Sequence, residues 1–299
     1  MIASTWLAAV KRRLVVLLLG SLMPALASAT VVVTLTAPES SSDPRTAYNV
    51  QLIQLALEKT RAKSGDFEIR ISPPMNTARA MEEARVGALP NLIVMNTFEN
   101  RLLDEGFDYA RFPVDFGVTG YRICFVSPEA RDAVSQATDL NALRKFTVGQ
   151  GRGWADVGIL RHNGFKVEEV GGYEALFGMV ASSRFDLFCR GINELEPELK
   201  AHAQIRNLDY DRSFALAYVL PRFFFSSKKN AAILRRISEG LQTAWLDGSM
   251  RKVWLAQFKE ALDFAQLSTR RIVPLRTPNI DRIDFDYQKY YFNPTKPVQ

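Results

Sequence analysis

The strongest constraint on this chain is an alternation of two periodicities that runs through it twice. Short β-branched or apolar runs, at Val31–Thr36, Phe67–Ile71 and Leu92–Met95, are separated by amphipathic stretches. Runs of the first kind read as strands, and apolar residues recurring every three or four positions read as helices. Asp43-Pro44 offers an N-cap and a first-turn proline for a helix to about Lys63, with Val50, Ile53, Leu55 and Leu57 inward and Gly65 as its stop. The second helix spans Thr77–Val86 and closes at Gly87. Residues 31–95 therefore read βαβαβ, which calls for a parallel sheet carrying helices.

The middle of the chain repeats this scheme. Strands are expected at Tyr121–Val126, Val167–Val170 and Phe185–Cys189, and helices from Asp139 (short), over Trp154–His162 and over Gly172–Ser182. An apolar strand at Leu216–Phe225, with Phe223–Phe225 in the core, precedes helices at about Asn230–Leu246 and Ser249–Ala261, divided by Asp247-Gly248. The segment from Pro274, rich in Pro, Asp and Tyr, reads as an irregular extension packed on the surface. Two α/β lobes of ordinary domain size result.

Lys11-Arg12-Arg13, the apolar run Leu14–Met23 and Ala27-Ser28-Ala29 have the form of an export signal, with cleavage expected after Ala29 and a periplasmic product. The apolar run is short for a membrane span. Loss of residues 1–29 lowers the net charge from +6 to +3, because that segment holds three basic and no acidic residues. With so small a surplus and no Lys/Arg run, nucleic acid is not an expected partner. Cys124 and Cys189 sit in apolar strand contexts, where they either pair in an oxidising compartment or remain buried thiols. No metal-ligand spacing is present and no cofactor is implied; His162 and His202 read as solvated helix residues.

The stretch Thr147-Val-Gly-Gln-Gly-Arg-Gly-Trp154-Ala-Asp156 is the most specific local signal. A strand turns sharply through three glycines into a helix N-terminus, where free amides and the helix dipole favour an anion. Arg152 adds charge and Trp154 a stacking surface. The stretch lacks the third glycine spacing of a dinucleotide fingerprint and the Lys-Ser/Thr of a P-loop. Two further polar loops follow buried strands: Asn96-Thr-Phe-Glu-Asn-Arg101, and Arg190-Gly191. In open α/β sheets ligands collect at such carboxyl ends.

Several segments together resemble the extracytoplasmic solute-binding proteins of the amino-acid class, family 3. They are Asp43-Pro-Arg45-Thr-Ala-Tyr48, Asn91–Thr97 with Glu99 and Arg101, Leu143–Trp154, Tyr173–Phe177 with Ser183–Gly191, and Ala231-Ile-Leu to Asp247-Gly-Ser. The resemblance covers residues 30–265. It implies an α/β, two-lobed type II periplasmic-binding fold, each lobe a sheet flanked by helices, with a cleft between them. Lobe 1 is expected to comprise 30–120 and 213–273, lobe 2 residues 121–212, and the extension residues 274–299. Crossovers are expected near Gly120–Tyr121 and Tyr210–Phe214.

The resemblance further implies a carboxylate held by Thr97 and Arg101, with Asn96 beside them, against the Gly151–Trp154 turn. Arg101 stands one residue later than the family spacing. Arg152 and Trp154 replace the usual Ser/Thr pair, and the family's amine-binding acid has no match at Gly191, where Arg190 stands alongside. An arginine there favours an acid or anion over an α-amino acid. Arg45 and Tyr48 lie at the cleft mouth, Glu39 reads as a solvated loop acid, and Asp186 reads as a structural cap.

The expected function is closure of a monomer around a small polar, carboxylate-bearing or anionic solute, presented to an ABC permease. A sensory role on a membrane receptor is the second expectation. An enzyme of the dehydratase kind on this fold is the third. It is disfavoured because the acids nearby, Glu39, Glu99 and Asp156, form no catalytic pair.

Overall fold

A computed structural model describes residues 30–38 and 46–293. The expected leader, Glu39, Arg45 and the Asp43-Pro44 helix start lie outside the described residues. In chain order the first group of elements is β1 (Val31–Leu35), α1 (Ala47–Ser64), β2 (Phe67–Ile71), α2 (Thr77–Val86), β3 (Leu92–Thr97), α3 (Asn100–Asp104) and β4 (Phe107–Tyr109). The second is β5 (Tyr121–Val126), α4 (Arg131–Ser135), α5 (Leu140–Leu143), β6 (Thr147–Gly151), α6 (Ala155–His162), β7 (Lys166–Val170), α7 (Tyr173–Ala181), β8 (Leu187–Gly191), α8 (Ile192–Ala201) and β9 (Phe214–Ala217). β10 (Arg222–Ser227), α9 (Ala231–Leu246), α10 (Ser249–Ala265) and β11 (Arg271–Pro274) complete the strands and α-helices of the described residues.

These elements build two mixed sheets flanked by helices, the two-lobed α/β architecture of type II periplasmic binding proteins. The first sheet has the order β2-β1-β3-β10-β4, with β1 parallel to both neighbours and β10 antiparallel to β3 and β4. The second has the order β11-β9-β5-β8-β6-β7. α2 matches its expected bounds: Asn76 accepts from the Arg79 N–H at the start, and Gly87 takes the left-handed conformation at the end. Along α1 the buried stripe is Tyr48, Leu52, Ile53, Ala56, Leu57 and Thr60. Val50 and Leu55, expected inward, fall at its edges because helical spacing aligns 48, 52 and 56.

Two features depart from the sequence expectation, and a third resolves an alternative that the sequence left open. Leu216–Phe225 is two strands in different sheets, since β9 pairs with β5 and β11 whereas β10 inserts between β3 and β4. The chain crosses back to the first sheet at residues 218–221, ending in Pro221, so β9 and β11 lie on the second lobe's sheet although residues 213–273 were expected in lobe 1. Second, residues 192–201, given no element from the sequence, form α8, which packs on α10 and places Lys200 Nζ 2.9 Å from Glu260. Pro197 inside α8 masks its helical pattern. Third, Cys124 and Cys189, opposite one another on β5 and β8, form a disulfide.

His202, expected at the surface, is buried: it stacks on Phe177 with ring centroids 3.6 Å apart and meets Glu174. Asp186 is structural, accepting from the backbone N–H and hydroxyl of Thr147. Beyond β11 the chain returns to the first lobe. Phe285 and Tyr287 cover Phe223, Asp284 accepts from Tyr109 and Arg111, and Phe292 packs on Trp254.

Candidate functional site

The cleft between the sheets is bounded by two polar walls. The first comes from β3, β10 and the segment after β4. Thr97 and Arg222 face each other as register partners where β3 ends and β10 begins. Asn96 Oδ1 accepts from the Thr97 N–H at 2.8 Å. Tyr48, buried on α1, donates to the Val114 carbonyl at 2.7 Å, so its hydroxyl is already engaged. Burial pushes that hydroxyl's pKa well up, as does the nearby Asp115 charge.

Asp115 and Arg222 each hold a buried polar atom with unmet bonding capacity. Asp115 Oδ1 accepts from Gly117 N–H at 3.0 Å, while its buried Oδ2 has no hydrogen-bond partner. Arg222 Nη1 lies 3.3 Å from Thr119 Oγ1 and 3.5 Å from Glu194 Oε1, while its buried Nε has none. Burial outweighs the Arg222 guanidinium and raises the Asp115 pKa. Burial likewise pulls Arg222 below the ordinary arginine value, Glu194 and Asp115 only partly offsetting it. Both side chains line one cavity, together with Tyr48, Asn193 and Phe258. An unmet buried donor or acceptor costs about 1–3 kcal/mol, so such a pair is a place where a ligand gains most.

The second wall is built from β5, β8, α6 and α8, and its charges satisfy one another. Arg122 donates to Asp156 at 2.5 Å, to Glu194 at 3.1 Å and to the Tyr218 hydroxyl at 3.0 Å. Arg190 makes two bonds of 2.7 Å to Glu198 and lies 3.1 Å from Glu194. Its guanidinium also covers the Trp154 ring at 4.7 Å. Burial opposes charge on Glu194, but Arg190, Arg122 and Arg222 outweigh it and hold its carboxyl far below the usual range. Burial likewise opposes charge on Arg122 and Arg190, yet their carboxylate neighbours raise both.

The residues expected at the site are distributed unequally over this cleft. Asn96, Thr97, Trp154 and Arg190 line a shared cavity with Arg122, Asp156, Glu194 and Arg222. Gly151, Arg152 and Trp154 line a neighbouring one that faces Asn76–Ala78 at the start of α2. Gly151 is explained by packing, since a Cβ there would meet the Trp154 indole. Gly153 has φ +79, which explains its lack of a side chain. Arg101 lines none of these cavities. Its exposed guanidinium pairs with Glu99 at 3.0 Å and Glu105 at 3.1 Å, because α3 turns it along the helix surface rather than into the cleft. Arg45 lies outside the described residues.

The sequence reading missed Arg222, Asp115, Arg122 and Glu194. Arg222 was hidden inside an apolar run taken as one strand, although Pro221 before it was a signal of a break. Glu194 follows Gly191 by three residues, a capping-box spacing, and its Oε2 accepts from the Gly191 N–H at 2.9 Å. Among the described residues, no group of three or more His, Cys, Asp or Glu is placed to hold a metal ion. Nor is any described helix long and apolar enough to cross a membrane.

No protein-family model matches the chain, and no curated protein matches its sequence. Its fold, however, is similar to many solved structures. An amino-acid ABC transporter substrate-binding protein from Streptococcus pneumoniae, bound to L-arginine, superposes with TM-score 0.53 at 12% identity, covering 78% of this chain and 95% of that one. A histidine kinase sensor domain with similarity to periplasmic binding proteins gives TM-score 0.57 at 16% identity, covering 77% and 96%. An ancestral amino-acid-binding protein, a precursor of cyclohexadienyl dehydratase, gives 0.53 at 14% identity, covering 77% and 95%. At such identities the likeness establishes the fold, and function is argued from the site.

Proposed function

We propose that this chain is an exported solute-binding protein that closes its lobes on a small polar solute bearing a carboxylate and a hydrogen-bond donor. The observation that carries the reading is the buried pair of unmet atoms, Arg222 Nε and Asp115 Oδ2, on two residues that line one cavity in the first wall. A carboxylate facing Arg222 and Thr97, with an ammonium or amide on Asp115, would satisfy both. This refines the expectation of an anionic solute: the acid missing at Gly191 is supplied from the other lobe by Asp115. The ligand would join the lobes and shift the chain toward its closed form by its differential affinity for that form.

The export signal expected from the sequence supports export, and delivery to an ABC-type permease fits the Streptococcus pneumoniae neighbour. Likeness to a histidine kinase sensor domain supports a second reading, in which a membrane receptor reads the same closure. Binding is preferred to catalysis because Glu194, which lines the cavities on both sides, is held ionised by three arginines and is a poor proton donor. The test is calorimetric titration of the chain from Thr30 onward with amino acids, with and without Arg222→Ala. Saturable binding by the native chain that the folded variant loses is the expected result. Undiminished binding by the variant would remove Arg222 from the site.

A further inference from the structure

Three arginines from three strands converge on one point of the cleft: Arg122 of β5, Arg190 of β8 and Arg222 of β10. Such a convergence is a ready seat for a free carboxylate, with fixed donors in a buried setting. The seat is filled by the chain itself. Glu194 Oε2 stands 3.1 Å from Arg122 Nη1, 3.1 Å from Arg190 Nη2 and 2.9 Å from the Gly191 N–H, and its Oε1 is 3.5 Å from Arg222 Nη1. Glu194 is itself buried, with 8% of its side chain exposed, and lines the cavities on both sides.

The neighbourhood carries no spare positive charge. Arg122, Arg190 and Arg222 are matched by Glu194, Asp156, Glu198 and Asp115, three guanidiniums against four carboxylates. A second anion entering the seat would face Glu194 with nothing left to neutralise it.

We propose that Glu194 is a tethered occupant of the three-arginine seat and thereby the residue that sets ligand charge, excluding net-anionic solutes in favour of zwitterions and cations. The inference rests on the cleft being the ligand site, but its test does not use the native ligand. Helix capping alone would explain the Gly191 contact; it would not predict that emptying the seat creates an anion site.

The experiment measures acetate and succinate binding to the native chain, Glu194→Gln and Glu194→Ala by calorimetry and by melting temperature. Gln keeps the size and the capping geometry, whereas Ala vacates the seat. The expected result is that Glu194→Ala gains saturable acetate binding at least about tenfold tighter than native, the ratio for one charge-assisted hydrogen bond, with its melting temperature rising as the seat refills. Glu194→Gln should gain less, because its amide still fills the space. Folded variants that respond to acetate and succinate as the native chain does would overturn the proposal. Should neither variant fold, the native chain still decides: saturable succinate binding overturns it, and no saturable heat supports it. If the native chain binds no amino acid while Glu194→Ala gains acetate, the occupied seat stands and the proposed ligand class falls.

Discussion

The two walls of the cleft use the same residue types to opposite ends. In the second wall each guanidinium and carboxylate has partners within the wall, and the Cys124–Cys189 disulfide ties together the strands that carry Arg122 and Arg190. In the first wall Asp115 is as deeply placed and Arg222 less so, with 16% of its side chain exposed, but each keeps one buried, unmet polar atom. A self-satisfied wall is rigid and pre-organised; an unsatisfied one is held at a cost that a ligand can relieve. The proposed recognition therefore falls on the first wall, with the second as its proposed scaffold and charge filter.

The sharpest way to break this comparison is to damage the scaffold. Arg122→Ala leaves Asp156 and Glu194 buried beside a missing cation, and should lower unfolding free energy by about 3–5 kcal/mol in urea titrations. A loss near that of an exposed pair would mean that the second wall is not a buried network. Reduction of the disulfide, which closes a sequence separation of 65 residues, should cost roughly 4 kcal/mol by loop entropy. An unchanged melting temperature in reductant would show the thiols to be free.

Arg222→Ala is expected to act mainly on binding. Loss of charge-assisted bonds to a carboxylate corresponds to about 1.5–3 kcal/mol, roughly 10- to 150-fold in Kd by calorimetry. Equal loss of affinity from Arg101→Ala would collapse the distinction between wall and surface. Among the described residues Arg101 pairs with Glu99 and Glu105 at the exposed face of α3, so its removal should change stability by less than about 1 kcal/mol and Kd hardly at all.

The pH profile sharpens the account further. Asp115 has its pKa raised by burial, so the folded chain holds that proton more tightly than the unfolded chain does. Its contribution to stability is complete below the unfolded carboxyl pKa and is lost as pH rises through the folded one. Ligand binding should run the other way, tightening as Asp115 ionises over the same window. Asp115→Asn should flatten both profiles; a native binding curve with no such slope would take Asp115 out of ligand contact.

Fold and cleft were legible in the sequence to different depths. Helix α2 was readable to the residue because its apolar spacing and closing glycine agree with its environment. The two lobes and the turn at Gly151–Trp154 followed from the repeated βα pattern. What failed was local. Pro197 concealed α8 and with it Glu194, and a continuous apolar run concealed the change of sheet before Arg222. Arg101 and Arg222 are indistinguishable as residue types. Only the antiparallel insertion of β10 beside β3 brings Arg222, rather than Arg101, opposite Thr97 in the cleft.

The most direct measurement is a melting-temperature screen of the chain from Thr30 onward, comparing each amino acid with the matching acid that lacks the amine. A ligand at about 100 times its Kd adds roughly 2.7 kcal/mol and is readily visible. Hits are expected to carry both a carboxylate and a donor, and the amine-free partners are expected to fail. Stabilisation by simple acids or oxyanions, with none by amino acids, would contradict that expectation.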